Sequence, residues 1–357
     1  MRLRDEFLLT PGLAFLNHAS YGATPRRIFE RRREIQLEIE ANPLPALTSE
    51  YEPRLDAARA VLADRVGASA ADIVWVPNTT FAMNLIGRSL VPRLEPGDEV
   101  LLTDHEYGSV IELFQTLCAA HGARAVLQPI PVPLPESRAE AILAGITPRT
   151  RVIVVSHITS DTAAVLPVDE VAREARRLGI TTVVDGAHAV GHIPLDLGSI
   201  PCDYYVGDLH KWACAPRPTG FLATTHELEP LVVSGRKEFF GTTDPSGWLT
   251  VPDALDFHAR KVATAVPGAR EILADLDEPM AALGCRPVTR ALEPDLLMRS
   301  WILPTFVSAE TLRERHEVEV QVVPDTRWGP LLRVSVAWYT EPDEVARLLD
   351  ALGAELG

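Results

Sequence analysis

A carboxylate and a lysine follow two short apolar runs near the middle of the chain. Residues 181–184 are Thr-Thr-Val-Val and lead to Asp185. Residues 204–206 are Tyr-Tyr-Val and lead to Lys211, 26 residues beyond the aspartate. Such β-branched and aromatic runs are typical of buried strands. Because ligands bind beyond the carboxyl ends of strands in open α/β sheets, we expect Asp185 and Lys211 to lie in one site.

Lysine is rare in this sequence, which singles out Lys211. The chain has 34 lysines and arginines, but lysine occurs only at positions 211, 237 and 261. Lys237 and Lys261 each follow an arginine in polar, surface-like segments. An arginine stays protonated in proteins, whereas a buried lysine can lose its proton and act as a nucleophile. Two interpretations of Lys211 remain: a nucleophile, or a lysine whose stem packs at a strand end with its ammonium in water.

Predicted strands and helices alternate along the chain, which favours parallel βαβ units. Apolar runs predict strands over residues 72–76, 99–103, 123–130, 151–155, 181–184, 204–206, 221–224, 300–303, 318–323 and 331–336. Helical patterns cover residues 26–41, 51–66, 81–90, 168–178 and 342–352. No G-x-G-x-x-G follows a predicted strand, which argues against a nicotinamide dinucleotide domain.

Two threonines, Thr79 and Thr80, lie between the predicted strand 72–76 and the predicted helix 81–90. The unpaired N–H groups and the dipole at a helix start favour an anion, so this turn can bind a phosphate. A plain threonine N-cap is the alternative.

Arg333 lies inside the otherwise apolar segment 332–336. Burying an arginine is costly unless an anion meets it. That anion is either a ligand carboxylate, which a guanidinium binds with two parallel hydrogen bonds, or an acidic side chain of the protein.

Five segments together resemble the class V aminotransferase family of pyridoxal 5′-phosphate (PLP) enzymes. They are Asp-Gly-Ala-His at residues 185–188, His-Lys-Trp at 210–212, Leu-Asn-His-Ala-Ser-Tyr-Gly at 16–22, His-Glu-Tyr-Gly at 105–108 and Gly-Thr-Thr-Asp-Pro-Ser at 241–246. The matches keep the family's order. They most resemble its isopenicillin N epimerase-like and cysteine desulfurase-like branch.

The resemblance implies an α/β protein with the PLP-dependent transferase fold of type I. A large PLP-binding domain, residues 17–247, would contain a mostly parallel sheet flanked by helices. A smaller C-terminal α/β domain, residues 248–357, would follow, with residues 1–16 packing near it. The family also implies a homodimer with shared active sites.

The resemblance assigns a role to each candidate site residue. Lys211 would bind PLP covalently and act as acid and base at Cα, Asp185 would pair with the pyridine nitrogen, and His188 would lie against the ring. Tyr107, favoured over His105, would stack on the ring, although packing on neighbouring loop residues is an alternative. The remaining residues would bind the phosphate (Thr79, Thr80, His210 and Thr242 of the other subunit) or the substrate (Arg333, Asn17, Ser160).

Two departures from the family pattern bear on the chemistry. Asp208 occupies a position where the family usually has a neutral phosphate-binding residue, so we expect it either to turn away or to be offset by His210. No cysteine lies between Cys285 and Arg333, where desulfurases carry the residue that forms a persulfide. Desulfurase chemistry is therefore disfavoured.

Composition excludes several other classes of protein. The net charge of −15 argues against binding to nucleic acid or to anionic membranes. No apolar run approaches the ~20 residues of a membrane span, and the polar first residues lack the apolar core of a signal peptide, so we expect a cytoplasmic protein. The four cysteines are scattered without the spacing of a zinc site, which predicts no metal.

The function that follows is a PLP-dependent reaction at Cα of an amino acid, bound as an external aldimine and losing its Cα proton. We favour β-elimination of the C–S lyase type or epimerisation. An aminotransferase is the alternative, and a non-catalytic PLP- or ligand-binding module is a third possibility. PLP supplies the electron sink that all of these reactions use.

Overall fold

A computed structural model describes residues 2–229, 241–293 and 295–357, so Lys237 lies outside the described residues. The strands are β1 Ala14–Phe15, β2 Ile73–Val76, β3 Glu99–Thr103, β4 Arg124–Gln128, β5 Thr150–Ser156, β6 Thr181–Asp185, β7 Tyr204–Asp208, β8 Gly220–Ala223, β9 Arg286–Pro287, β10 Met298–Ile302, β11 Val318–Glu319, β12 Gln321–Val323 and β13 Leu331–Ser335. The α-helices are α1 His18–Tyr21, α2 Arg26–Ala41, α3 Pro43–Ala46, α4 Tyr51–Val66, α5 Thr79–Leu90, α6 Gly108–His121, α7 Arg138–Leu143, α8 Val168–Arg177, α9 Ser246–Leu249, α10 Val251–Phe257, α11 Val266–Ala274, α12 Asp277–Ala282, α13 Ala309–His316 and α14 Pro342–Leu356.

A seven-stranded sheet with the order β2-β8-β7-β6-β5-β3-β4 forms the centre of the large N-terminal part. Its inner strands are buried on both faces because successive residues belong to two apolar cores. Val183 packs in the core on one face, and Val184 packs in the core on the other. This double burial explains why these strands have continuous apolar runs instead of alternating ones.

Strand β8 is antiparallel to both of its neighbours, whereas β3 to β7 are parallel. The prediction of parallel units is therefore right for those five strands and wrong for β8. Only residues 209–219 connect β7 to β8, and a parallel crossover needs about a dozen residues or more, usually with a helix. The reversal places the start of β8, Gly220, beside Asp208 at the carboxyl end of β7.

A second, antiparallel sheet with the order β12-β13-β10-β9 lies in the C-terminal part. The predicted single strand 318–323 is wrong, because β11 leaves this sheet and pairs in parallel with β1. Ser335 also donates its N–H to Leu16 O, at 2.9 Å. The predicted α/β class, with a mostly parallel sheet flanked by helices, is confirmed. The domain boundary after residue 247 stays a prediction.

Within the described ranges, no helix combines the length and the apolar character that crossing a bilayer requires.

Candidate active site

A cavity of about 590 Å³ opens at the carboxyl ends of β5, β6 and β7 and is closed on its other side by residues of the second sheet. Most of the predicted site residues line it. They are Thr79, Thr80, Tyr107, Ser160, Asp185, His188, His210, Lys211 and Arg333. Asn17 lies behind Arg333 and contacts it, and Thr242 is exposed and does not line the cavity of its own chain.

Lys211 projects into this cavity from the loop after β7. Its side chain is 15% exposed, and its Nζ lies 3.3 Å from Asp208 Oδ2. The neutral His18 ring donates from Nε2 to Lys211 O at 2.9 Å and accepts at Nδ1 from the Tyr339 hydroxyl at 2.7 Å. This geometry favours a functional lysine over one that holds its ammonium in bulk water. The surface position expected for Lys261 is confirmed.

Gly22 allows the chain after α1 to approach the lysine loop closely. It has a φ of +69°, and a Cβ at this position would lie 2.1 Å from His210 O and 2.6 Å from Lys211 O. A side chain here would push the loop away, because real Cβ atoms do not come that close. Gly22 therefore fixes the position of Lys211 through the backbone.

Asp185 ends β6 beside the lysine loop and is buried. Its Oδ1 accepts from Ala187 N at 3.0 Å, and burial raises the pKa of its carboxyl to about 6. A cationic ring nitrogen next to it would favour the ionised form and reverse that effect. The site therefore fits a protonated pyridine.

Glu106 is a buried carboxylate near Asp185 that the sequence interpretation missed. It accepts from Thr103 Oγ1 at 2.6 Å and from Ser156 Oγ at 2.5 Å. Ser156 ends β5 directly opposite Asp185 in the sheet and lines the cavity. Burial, assisted by the negative charge of Asp185, raises the pKa of Glu106 to about 7.

His188 lines the cavity as a neutral ring, because burial lowers its pKa well below the ordinary value. Its Nδ1 accepts from the Trp212 indole N–H at 3.4 Å. His192 stacks its ring on the Trp212 indole, with the ring centroids 3.7 Å apart. These aromatic contacts hold the His188 ring in one orientation.

The start of α5 lines the cavity through Asn78, Thr79 and Thr80. The helix begins at Thr79, and Asn78 caps it by accepting from Phe81 N at 2.9 Å, so neither threonine is the N-cap. Thr79 Oγ1 is buried and has no hydrogen-bond partner in the described part of the chain. Such an orphaned group next to a helix start fits an anionic ligand.

His210 has one ring nitrogen left for a ligand. Its Nδ1 donates to Thr219 O at 3.1 Å, so Nε2 can donate only when the ring is protonated. Burial lowers the pKa of His210, and a phosphate beside Nε2 would favour the protonated form instead.

Arg333 is buried on β13 and is held by neutral acceptors. Its guanidinium donates to Ser160 O at 2.9 Å, to Ser160 Oγ at 3.0 Å and to Ser20 Oγ at 2.8 Å. Among the described residues its Nε has no partner, and its hydrogen bonds go to neutral oxygens rather than to a carboxylate. Burial lowers its pKa to about 10, although the charge of Asp161 works against that. The geometry disfavours an internal salt bridge and leaves the arginine available to an anion.

Tyr107 and His105, the two candidates for stacking on a ring, lie in different surroundings. Tyr107 lines the cavity mouth and is 48% exposed. His105 is buried away from the cavity, with its ring nitrogens bonded to Thr162 Oγ1 and Ile130 O. Of these two rings, only that of Tyr107 can reach a ligand.

The comparisons with known proteins agree with this geometry. The family model described as "Aminotransferase class-V" matches residues 14–255. The chain is 36% identical to an isopenicillin N epimerase from Streptomyces clavuligerus, and the alignment covers 99% of this chain and 98% of that protein.

The chain belongs to the class V aminotransferase family. A probable cysteine desulfurase from Xylella fastidiosa (strain 9a5c) is 30% identical over 98% of this chain and 94% of its own. A solved structure of a C-DES variant, with glycine covalently linked to its PLP cofactor, superposes with a TM-score of 0.86 at 20% identity and covers 99% of both chains. The family, the fold type, the enzyme class and PLP as the cofactor are thus confirmed. The roles assigned to single residues stay predictions.

Proposed function

We propose that this enzyme breaks the Cα–H bond of an amino acid and then either eliminates a β-substituent or returns the proton to epimerise the carbon. The observation that carries the proposal is the convergence of three groups on one cavity: Lys211, the buried Asp185, and Arg333, which has no ion-paired carboxylate among the described residues. Bound PLP supplies the electron sink that stabilises the negative charge left at Cα.

The protein side chains divide the work between binding and proton transfer. Arg333 binds the substrate carboxylate with its paired N–H groups, and Ser160, Ser20 and Asn17 hold the guanidinium in place. Lys211 holds the cofactor and moves the proton to and from Cα. Asp185 keeps the ring nitrogen protonated. Thr79, Thr80 and His210 bind the phosphate, and Tyr107 covers the ring from the cavity mouth.

Elimination or epimerisation is supported by the relatives, which include proteins named isopenicillin N epimerase and L-cysteine desulfhydrase. Relatives named cysteine desulfurase occur as well. None of the four cysteines of this chain lines the cavity, however, so no thiol is in place to receive sulfur as a persulfide. Sulfur lost from a substrate would leave as a thiol or as sulfide.

We also propose a homodimer in which Thr242 reaches the phosphate of the partner subunit's cofactor. Large apolar side chains are exposed on this part of the chain. Leu8, Tyr21 and Phe29 line one surface cavity, Tyr21 also lines the active-site cavity, and Leu37 and Leu44 are exposed on α2 and α3. The loop that carries Thr242 lies against α2, the helix that also carries Phe29 and Leu37. Arg32 Nε donates to Ser246 Oγ at 3.0 Å, and Gln36 Nε2 donates to Asp244 Oδ2 at 2.7 Å. A cytoplasmic location and the division after residue 247 complete the proposal.

Two measurements test the proposed function. Borohydride reduction followed by peptide mapping should place the pyridoxyl group on Lys211, and label on Lys261 or Lys237, or on none, would refute the assignment. The products from a panel of amino acids and cysteine S-conjugates then identify the reaction. Pyruvate with ammonia indicates elimination, and a D-isomer indicates epimerisation. Accumulation of pyridoxamine phosphate with a keto acid would show an aminotransferase, and no change with any substrate would show a binding module.

A further inference from the structure

A carboxylate of the protein occupies the part of the cavity that binds the cofactor phosphate. Asp208, the last residue of β7, is 4% exposed and lines the cavity. Its Oδ1 accepts from Thr79 N at 2.9 Å, and its Oδ2 lies 3.3 Å from Lys211 Nζ. The sequence left two possibilities for Asp208. The first, a side chain that turns away from the phosphate site, is therefore wrong. His210 Nδ1 lies 3.9 Å away and donates instead to Thr219 O, so the ring gives little compensation.

These contacts make Asp208 a competitor of any anion at the same place. The N–H groups of the first turn of α5 and the helix dipole favour a negative charge there. Asp208 already uses one of these N–H groups and also lies against the cavity ammonium. A phosphate that enters must share these donors with a like charge a few ångström away, which costs affinity where water screens little.

The charge of Asp208 is not required by its contact with the helix. An asparagine in the same rotamer would present the same Oδ1 to Thr79 N and would fill almost the same volume. A neutral residue would thus keep the backbone hydrogen bond and remove the repulsion. The carboxylate must act on what binds beside it, or on Lys211.

We propose that the carboxylate of Asp208 lowers the affinity of this site for ligands that carry a phosphate, so that bound PLP exchanges with free PLP. This inference rests on the proposed function, because it requires that Thr79, Thr80 and His210 bind the cofactor phosphate. It adds a specificity-determining residue whose effect depends on whether the ligand carries a phosphate.

The test compares Asp208→Asn with the unmodified protein, and Asp161→Asn serves as the matched control. Asp161 is also a carboxylate of the cavity wall, but it lies beside Ser160 and within the influence of the Arg333 charge, whereas Asp208 contacts Thr79 and Lys211. Cofactor-free protein is titrated with PLP, with pyridoxal, which lacks the phosphate, and with inorganic phosphate as a competitor. Melting temperatures show whether each variant is folded, and Asp208→Ser replaces Asp208→Asn if the latter is not.

We expect Asp208→Asn to bind PLP at least about tenfold more tightly, the lower end of what a like charge at this range imposes. Inorganic phosphate should compete more strongly by a similar factor, and pyridoxal should change less than about twofold. Asp161→Asn should leave the binding of PLP, pyridoxal and inorganic phosphate unchanged.

Unchanged PLP affinity in Asp208→Asn would overturn the proposal. An equal gain for pyridoxal would overturn it as well, because the charge would then act on Lys211 alone. Borohydride labelling of Lys211 in the unmodified protein separates these results from a failure of the proposed function, which would show no label at all.

Discussion

Replacing Arg333 with lysine separates recognition of the substrate carboxylate from stabilisation of the fold. Lysine keeps the positive charge but cannot donate two parallel hydrogen bonds to a carboxylate. One hydrogen bond to a charged group is worth about 1.5–3 kcal/mol. We therefore expect kcat/KM for amino acids to fall about ten- to a hundredfold. Methyl esters of the same amino acids lack the carboxylate charge and should lose much less.

The structural cost of this change can be estimated separately. The guanidinium also donates to Ser160 and Ser20, and a lysine ammonium can keep only part of these contacts. A hydrogen bond from a charged donor contributes about 1.5–3 kcal/mol, so the loss of one of these bonds in Arg333→Lys should lower the unfolding free energy by about that amount. The melting temperature should fall by only a few degrees, and PLP should stay bound.

Arg299 provides a matched control in the neighbouring strand β10. It is also buried, but its Nε lies 2.6 Å from Asp277 Oδ1 and it does not line the cavity. Arg299→Lys should therefore lower the unfolding free energy, while any change in kcat/KM should be equal for amino acids and their methyl esters. If Arg333→Lys also affects acids and esters equally, or if it unfolds the protein, Arg333 is structural and the carboxylate contact is wrong.

Three further predictions concern the cofactor site and its surroundings. Lys211→Ala should lose covalently bound PLP and about 10²–10⁴-fold in kcat, whereas Lys261→Ala should keep both, as absorbance and product assays will show. Mixing Lys211→Ala with Thr242→Trp subunits should restore one working site per heterodimer, and activity that follows each subunit independently would exclude sharing. Burial raises the pKa of Glu106 from 4.5 to about 7, so the folded state keeps this proton longer and stability is lost as the pH rises between these values. Urea unfolding should show that, between about pH 5.5 and 8, the unmodified protein loses about 2 kcal/mol more of its unfolding free energy than Glu106→Gln does. Equal pH dependence of the two proteins would contradict this.

Local patterns in the sequence predict the parts of the site that follow directly from strands. Asp185 and Lys211 come together because parallel strands deliver their carboxyl ends to one edge of the sheet. The local sequence also contained the information needed to avoid two errors: a parallel orientation of β8 and a threonine as the N-cap of α5. The short connection before β8 already excludes a parallel strand, and Asn78 is a strong N-cap residue two positions before Thr80.

Other parts of the site depend on contacts that no local pattern contains. Arg333 meets Ser160 across 173 residues of chain and Ser20 across 313. The sequence shows only that a buried arginine needs an anion or several acceptors, not which ones it finds. Glu106 was missed for a similar reason, because its partner Ser156 lies 50 residues away and nothing near it predicts its burial.

The short segment around α1 connects the two ends of the site. Asn17 and Ser20 accept hydrogen bonds from Arg333, while His18, between them, donates to the backbone carbonyl of Lys211. Under the proposed function, the substrate carboxylate would bind the same guanidinium that holds this segment. The segment in turn fixes the lysine loop. Four consecutive residues therefore position both the guanidinium of Arg333, on the second sheet, and the loop of Lys211, which follows a strand of the first sheet.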